Sequence, residues 1–231
     1  RTSFVGEVQG RAAAKIIGET LGKKKVAILA VQNDFGKSLA DGFREKAGDF
    51  GIEVAGEYGF SMDDRQFGPL VAQVKAVQPE AVYFTGYYFN AGPLVEQLRA
   101  GGVDVPMVGM EGVDGVKFIE IARDAAEGVI ITTSLDRDSN DPVTRDFIEG
   151  FEAKAGYPAD MVGASSHTAV QVLAAALRVA GSEDKAALRD AIANSEVKAS
   201  TGVITFNALG EVVKDVQMQV VRGVSWHHHI V

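Results

Sequence analysis

The sequence predicts an α/β fold, a doubly wound, flavodoxin-like parallel sheet followed by a piece of a second module. Three observations predict it. Five short apolar runs start roughly 22 to 29 residues apart, the length of one strand plus one helix. Four of the five are near-continuous rather than alternating, as strands covered by helices on both faces must be. Amphipathic segments fill the intervals between them, so strand and helix alternate up to about residue 133.

In chain order, "VQGRAAAKIIGETLG" (8–22) reads as a helix ahead of the first strand, "KVAILA" (25–30). "SLADGFREKAGDF" (38–50) sets Leu39, Phe43, Ala47 and Phe50 on one stripe and keeps Asp41, Arg44, Glu45 and Lys46 off it. "IEVAGEYGF" (52–60) is the second strand and "QFGPLVAQVKAV" (66–77) the next helix. The third strand, "AVYFTG" (81–86), leads into the helix "AGPLVEQLRAGG" (91–102), whose closing Gly101-Gly102 suits a C-terminal cap. "VPMVGM" (105–110) and "GVIITT" (128–133) complete the set of strands. A polar connector, "SLDRDSNDP" (134–142), then breaks the rhythm and places a module boundary near 134–141. Three helices follow in succession, roughly 142–155, 160–180 and 184–194, the second capped by Asp160 or Ser165. A β-rich tail over 201–226 turns at "NALGE" and is expected to return to the first module.

Composition excludes several classes. The chain of 231 residues can bury a proper core as one large domain or two small ones. Lys plus Arg number 23 and Asp plus Glu 31, giving a net charge of −8. That argues against a nucleic-acid or anionic-membrane surface, which needs clustered basic residues. The absence of cysteine excludes disulfides, thiol catalysis and thiolate metal sites. No run of 18 apolar residues occurs, and "RTSFVGEVQG" does not have the shape of a signal peptide. The expectation is a soluble chain, or a mature or trimmed piece of an exported one.

Ligands of an open parallel sheet bind beyond the carboxyl ends of its strands. Here those ends are "VQNDFG" (31–36), "YYFNAG" (87–92), "EGVDG" (111–115) and "SLDRD" (134–138). Aromatic walls with one or two carboxylates suit a small ligand that has an apolar part and a cationic group. Each residue also fits a plainer role. Glu111 reads equally as a solvated loop carboxylate or as an acid at a helix N-terminus. Tyr87 and Tyr88 fit a rim that shields the sheet end, and Phe35 fits a core ring opening a helix.

Enzyme signatures are thin. "NDFGKS" lacks phosphate-loop spacing, no GxGxxG follows the first strand, and no GxSxG elbow occurs. Asp34 with Asp63-Asp64 does not make a phosphoacceptor cluster, because "AVYFTGYY" supplies tyrosines where an Asp belongs. His167 lies inside a helix, and "HHH" (227–229) at the end reads as a solvent tail or tag remnant rather than a metal site. Neither a cofactor nor a metal is expected.

With these loops placed, several stretches resemble the branched-chain amino-acid-binding family, the type I substrate-binding proteins of ABC importers. They are "RTSFVGEVQGRAAAKIIGETLGKKKVAILAVQNDFGKSLADGF", "FTGYYFNAGPLVEQLRAGG", "VPMVGMEGV", "DAAEGVIITT" and "TGVITFNALGE", in the family's order along the whole chain. Members are longer, two-lobed proteins whose chain crosses between lobes three times. The resemblance implies that residues 1–135 and 212–231 form the C-terminal ligand-binding lobe and that 140–205 are the remnant of an N-terminal lobe, most of which is lacking. It implies ligand contacts at Phe35, where the family usually has Tyr, at Tyr87 and at Glu111, which would pair with a ligand ammonium. Tyr88 is a less firmly matched neighbour, and Tyr88 and Phe89 also fit packing roles.

The resemblance further implies hinge closure over a small ligand such as an amino acid, delivery to a membrane permease, and a periplasmic or extracellular location. A chain lacking most of one lobe is expected to bind weakly or not at all, and to dimerise through the surface so exposed. A sensory receptor domain of the same fold is the alternative reading, and a flavodoxin-like nucleotide or flavin binder a third.

Overall fold

The structure, a computed structural model, describes residues 1–228. Two units emerge: Val5–Thr133 together with the chain from Met218, and Arg1–Phe4 together with Ser134–Gln217. The larger unit begins with α1 (Gly6–Lys15), which runs on as a wider turn over Ile16–Thr20 and delivers the chain to β1 (Lys25–Val31). α2 (Asp34–Ala47) starts four residues earlier than its apolar stripe suggests, because the Asn33 side chain caps it by accepting from Gly36 N–H at 2.8 Å. β2 (Glu53–Phe60), α3 (Gly68–Val77), β3 (Ala81–Phe84), α4 (Tyr88–Ala100) and β4 (Met107–Gly109) follow as expected. The sequence reading did not mark α5 (Val116–Ala122), a short helix between β4 and β5 (Ile130–Thr133).

The smaller unit holds α6 (Pro142–Ala155), α7 (Met161–Ala180), α8 (Lys185–Ala193), β6 (Val197–Ala199), β7 (Gly202–Phe206) and β8 (Val212–Val213). β9 (Gln217–Arg222) and β10 (Ser225–His228) bring the chain back to the larger sheet.

Among the described residues the large sheet has the order β10-β9-β5-β4-β3-β1-β2, with β2, β1, β3, β4 and β5 mutually parallel. The near-continuous apolar runs are buried on both faces: every residue of β3, β4 and β5 is buried. β2, the alternating run, lies at the sheet edge and is only partly covered. Burying side chains such as Ile28, Leu29, Phe84 and Leu94 completely is worth about 1.5–3 kcal/mol each.

Two expected bounds shift. Residues 1–4 go with the smaller unit, where the chain-terminal ammonium donates to Gly210 O at 2.9 Å and the Thr2 hydroxyl to Ser165 O at 3.4 Å. The tail returns at Met218 rather than 212, because Val212 and Val213 pair with Phe206 and Thr205 across the "NALGE" turn. A third expectation is corrected at the end of the chain. His227 and His228 are no solvent tail; they extend β10 and pair with Val220 and Gln219 of β9, while Trp226 beside them is buried and donates to Gly115 O at 3.2 Å. His229 lies outside the described residues.

In the smaller unit, Asp160 caps α7 by accepting from Gly163 N–H at 2.7 Å, and Ser165 is buried one turn further in. Asp141 caps α6 and pairs with Lys198 on β6 at 2.5 Å, which holds its carboxyl below the usual carboxylate range. Gly150 is an exposed interior position of α6, and a Cβ there would meet nothing within 4 Å. Gly150→Ala is expected to stabilise the smaller unit by about 0.5–1 kcal/mol, read as a higher denaturant midpoint.

Candidate functional site

The order β2-β1-β3-β4-β5 has its switch point between β1 and β3, where connections leave toward opposite sides of the sheet. Both strands end in tight turns at this point. After β1, a Cβ on Gly36 would meet the Val31 side chain at 2.7 Å, so the strand can turn directly into α2 only with glycine there. This places Phe35 in the first turn of α2. After β3, the fully buried Thr85 accepts from Val31 N–H at 3.1 Å and ties the two strand ends together. Gly86 then takes φ +150°, and Tyr87 becomes the residue that precedes α4. Tyr87 N–H donates to Asn90 Oδ1 at 2.8 Å, and the buried Asn90 amide reaches Met62 O at 3.2 Å.

The rings of Phe35 and Tyr87 lie 5.5 Å apart at a tilt of 32°, contact that adds to simple burial. Asn33 Nδ2 reaches the Tyr87 hydroxyl at 3.5 Å, the long limit of a hydrogen bond. Behind Tyr87, Phe89 stacks at 5.6 Å and 4°, and the Arg65 guanidinium sits 4.9 Å over the Phe89 ring. Tyr88 stands apart. It is 45% exposed and, among the described ring contacts, touches only Phe89 edge-on at 5.3 Å. The row is therefore Phe35, Tyr87, Phe89, with Tyr88 outside it.

Glu111 opens a one-turn helix, Glu111–Val113, just after β4. It is 8% exposed, which sets aside the solvated-loop reading. The loop is pressed against the one bearing Tyr87: a Cβ on Gly112 would clash with the Gly86 carbonyl oxygen. Glu111 N–H donates to Gln9 Oε1 at 3.3 Å, and the Thr132 hydroxyl of β5 donates to the same oxygen at 3.1 Å. Asp114, also buried, accepts from the Thr133 hydroxyl. Sequence reasoning missed Gln9 and Asn90. The only signal was a glutamine on the stripe Gln9, Gly10, Ala13, Ala14 that α1 buries.

No group of His, Asp or Glu able to hold a metal ion occurs among the described residues. A groove of about 620 Å³ along the β2 edge is lined by Asn33, Lys37, Arg44, Glu57 and Tyr58, with Arg44 and Glu57 paired to each other; neither Tyr87 nor Glu111 lines it. No helix among the described residues is long and apolar enough to cross a membrane.

Comparison with known proteins agrees with this fold. A family model described as "Periplasmic binding protein" matches residues 1–224. The leucine-, isoleucine-, valine-, threonine- and alanine-binding protein of Pseudomonas aeruginosa is 30% identical over 91% of this chain and 56% of its own length. A Leu/Ile/Val-binding protein of Rhizobium johnstonii is 30% identical over 91% of the chain and 58% of its own. Among solved structures, a leucine-binding protein from Thermotoga maritima superposes with a TM-score of 0.93 at 27% identity, covering 100% of this chain and 66% of that one. The chain thus spans little more than half the length of the curated relatives it matches.

Proposed function

The chain belongs to the periplasmic binding protein family, whose matched relatives are binding proteins rather than enzymes, and from that premise we propose that it captures a small amino acid for an ABC importer. The carrying observation is one arrangement: two facing rings at the β1/β3 switch point and a buried carboxylate at the neighbouring strand end. Phe35 and Tyr87 supply an apolar wall for an aliphatic side chain, and Glu111 pairs with the ligand ammonium. Such a pair is favourable only when water is excluded and the remaining hydrogen bonds are met. In this reading the larger unit is the C-terminal ligand-binding lobe and the smaller one is part of the N-terminal lobe. The chain passes between the units at residues 4/5, 133/134 and 217/218, as a hinge needs. Closure over the ligand desolvates the Glu111–ammonium pair. The permease partner and a location outside the cytoplasmic membrane follow from the same proposal.

The ligand carboxylate has no assigned partner in the larger unit, so weak binding is the expectation for this chain. Calorimetric titration with leucine, isoleucine and valine tests it: heats too small to fit are expected, and sub-micromolar affinity would overturn it.

Val170, Leu173 and Leu177, spaced three and four residues apart along one side of α7, are exposed apolar residues of the smaller unit. Two copies pairing through this face would cover them. Sedimentation equilibrium should then report a dimer at tens of micromolar; a clean monomer contradicts the pairing.

A further inference from the structure

Gln9 is fully buried on α1 among Gly10, Ala13 and Ala14, a setting in which a polar amide is disfavoured unless its hydrogen bonds are met. Half of it is met. Oε1 accepts from Glu111 N–H at 3.3 Å and from the Thr132 hydroxyl at 3.1 Å. Nε2 is equally buried and has no hydrogen-bond partner among the described residues. The amide cannot be turned round to relieve this, since the Glu111 N–H can only donate and so requires an oxygen. A methionine or leucine would fill the same space without the unmet Nε2 donor, but would leave the Glu111 N–H and the Thr132 hydroxyl without the oxygen they share. What the glutamine contributes is therefore what its oxygen holds, and that is the first N–H of the Glu111–Val113 turn, a group such a turn cannot satisfy itself.

We propose that Gln9 is a positioning residue: from α1 it fixes the loop that presents Glu111, and so sets the affinity for ligands bearing a cationic ammonium. Thr132 steadies the same oxygen from β5. Gln9 thereby connects the start of the larger unit to the ends of β4 and β5, in the same way that Asn90 fixes the Tyr87 turn. This inference rests on the proposed ammonium contact at Glu111.

The test compares leucine with 4-methylpentanoate, which has the same carbon skeleton without the ammonium, titrated into the ¹⁵N-labelled chain and its Gln9→Met variant. Leucine should move the Glu111 amide resonance in the wild type. In Gln9→Met, leucine affinity should fall about tenfold, the worth of one hydrogen bond, while 4-methylpentanoate affinity stays the same. Equal losses for both ligands would mean a merely structural role and overturn the proposal, as would no loss for either. A Glu111 resonance unmoved by leucine in the wild type overturns the reading of the site itself, and Gln9's role with it. Hydrogen exchange of the wild type gives a check independent of any variant's folding. The Glu111 amide should exchange slowly, and exchange as fast as at exposed Asp63 overturns the proposal.

Discussion

Gly10→Val will melt the larger unit roughly 10 °C below the wild type, the loss expected from about 3 kcal/mol of forced overpacking in a unit of this size. The helices α1 and α2 meet backbone to backbone. A Cβ at Gly10 would overlap the Leu39 carbonyl oxygen and lie 2.7 Å from Phe43 N. Both are main-chain atoms held by α2 hydrogen bonds, so no side chain can swing away to make room. The contact is reciprocal, since a Cβ on Gly42 of α2 would meet Glu7 Cα at 2.5 Å. Valine adds two further methyl groups and its own reluctance to enter a helix. Separating the helices would also move Gln9, the next residue on α1, away from Glu111 and Thr132. Thermal melting followed by circular dichroism reads the effect, and a midpoint within about 2 °C of wild type would show that the two helices do not pack this closely.

Glu111→Gln should lower leucine affinity about 100-fold, enough to abolish the resonance shifts that millimolar leucine produces, because it takes away the negative charge offered to the ammonium and leaves that cation desolvated without its counter-charge. The substitution keeps length and shape, so ring contacts with Phe35 and Tyr87 persist. Binding of 4-methylpentanoate should accordingly survive it, which separates a lost charge pair from a collapsed loop. Retention of leucine affinity in Glu111→Gln would mean that the ammonium sits elsewhere.

The parallel sheet was legible because its strands are buried on both faces and so written as unbroken apolar runs; β2 alternates because it is the edge strand. α5 was not legible: at seven residues it has too few turns for a periodic pattern to stand out. The start of α2 was placed late because "NDFG" looks like loop chemistry, whereas Asn33 serves as its cap. The histidines of β10 were misread because a strand at a chain end depends on its partner β9, not on its own composition. At the site, a topological rule marked the loops that carry Phe35, Tyr87 and Glu111, each lying just past a strand, while their reading as ligand contacts came from the resemblance to the binding-protein family. Gln9 escaped because its contact with Glu111 spans 102 positions and involves a side chain that local patterning assigns to helix α1 alone.

The central claim is that the ligand rests on Phe35, Tyr87 and Glu111. Titrating the ¹⁵N-labelled wild-type chain with leucine into the millimolar range tests it most directly. The account predicts resonance shifts confined to residues 33–36, 86–90 and 111–114, all at the ends of β1, β3 and β4. Shifts confined instead to α6–α8, or none at any leucine concentration reached, would contradict it.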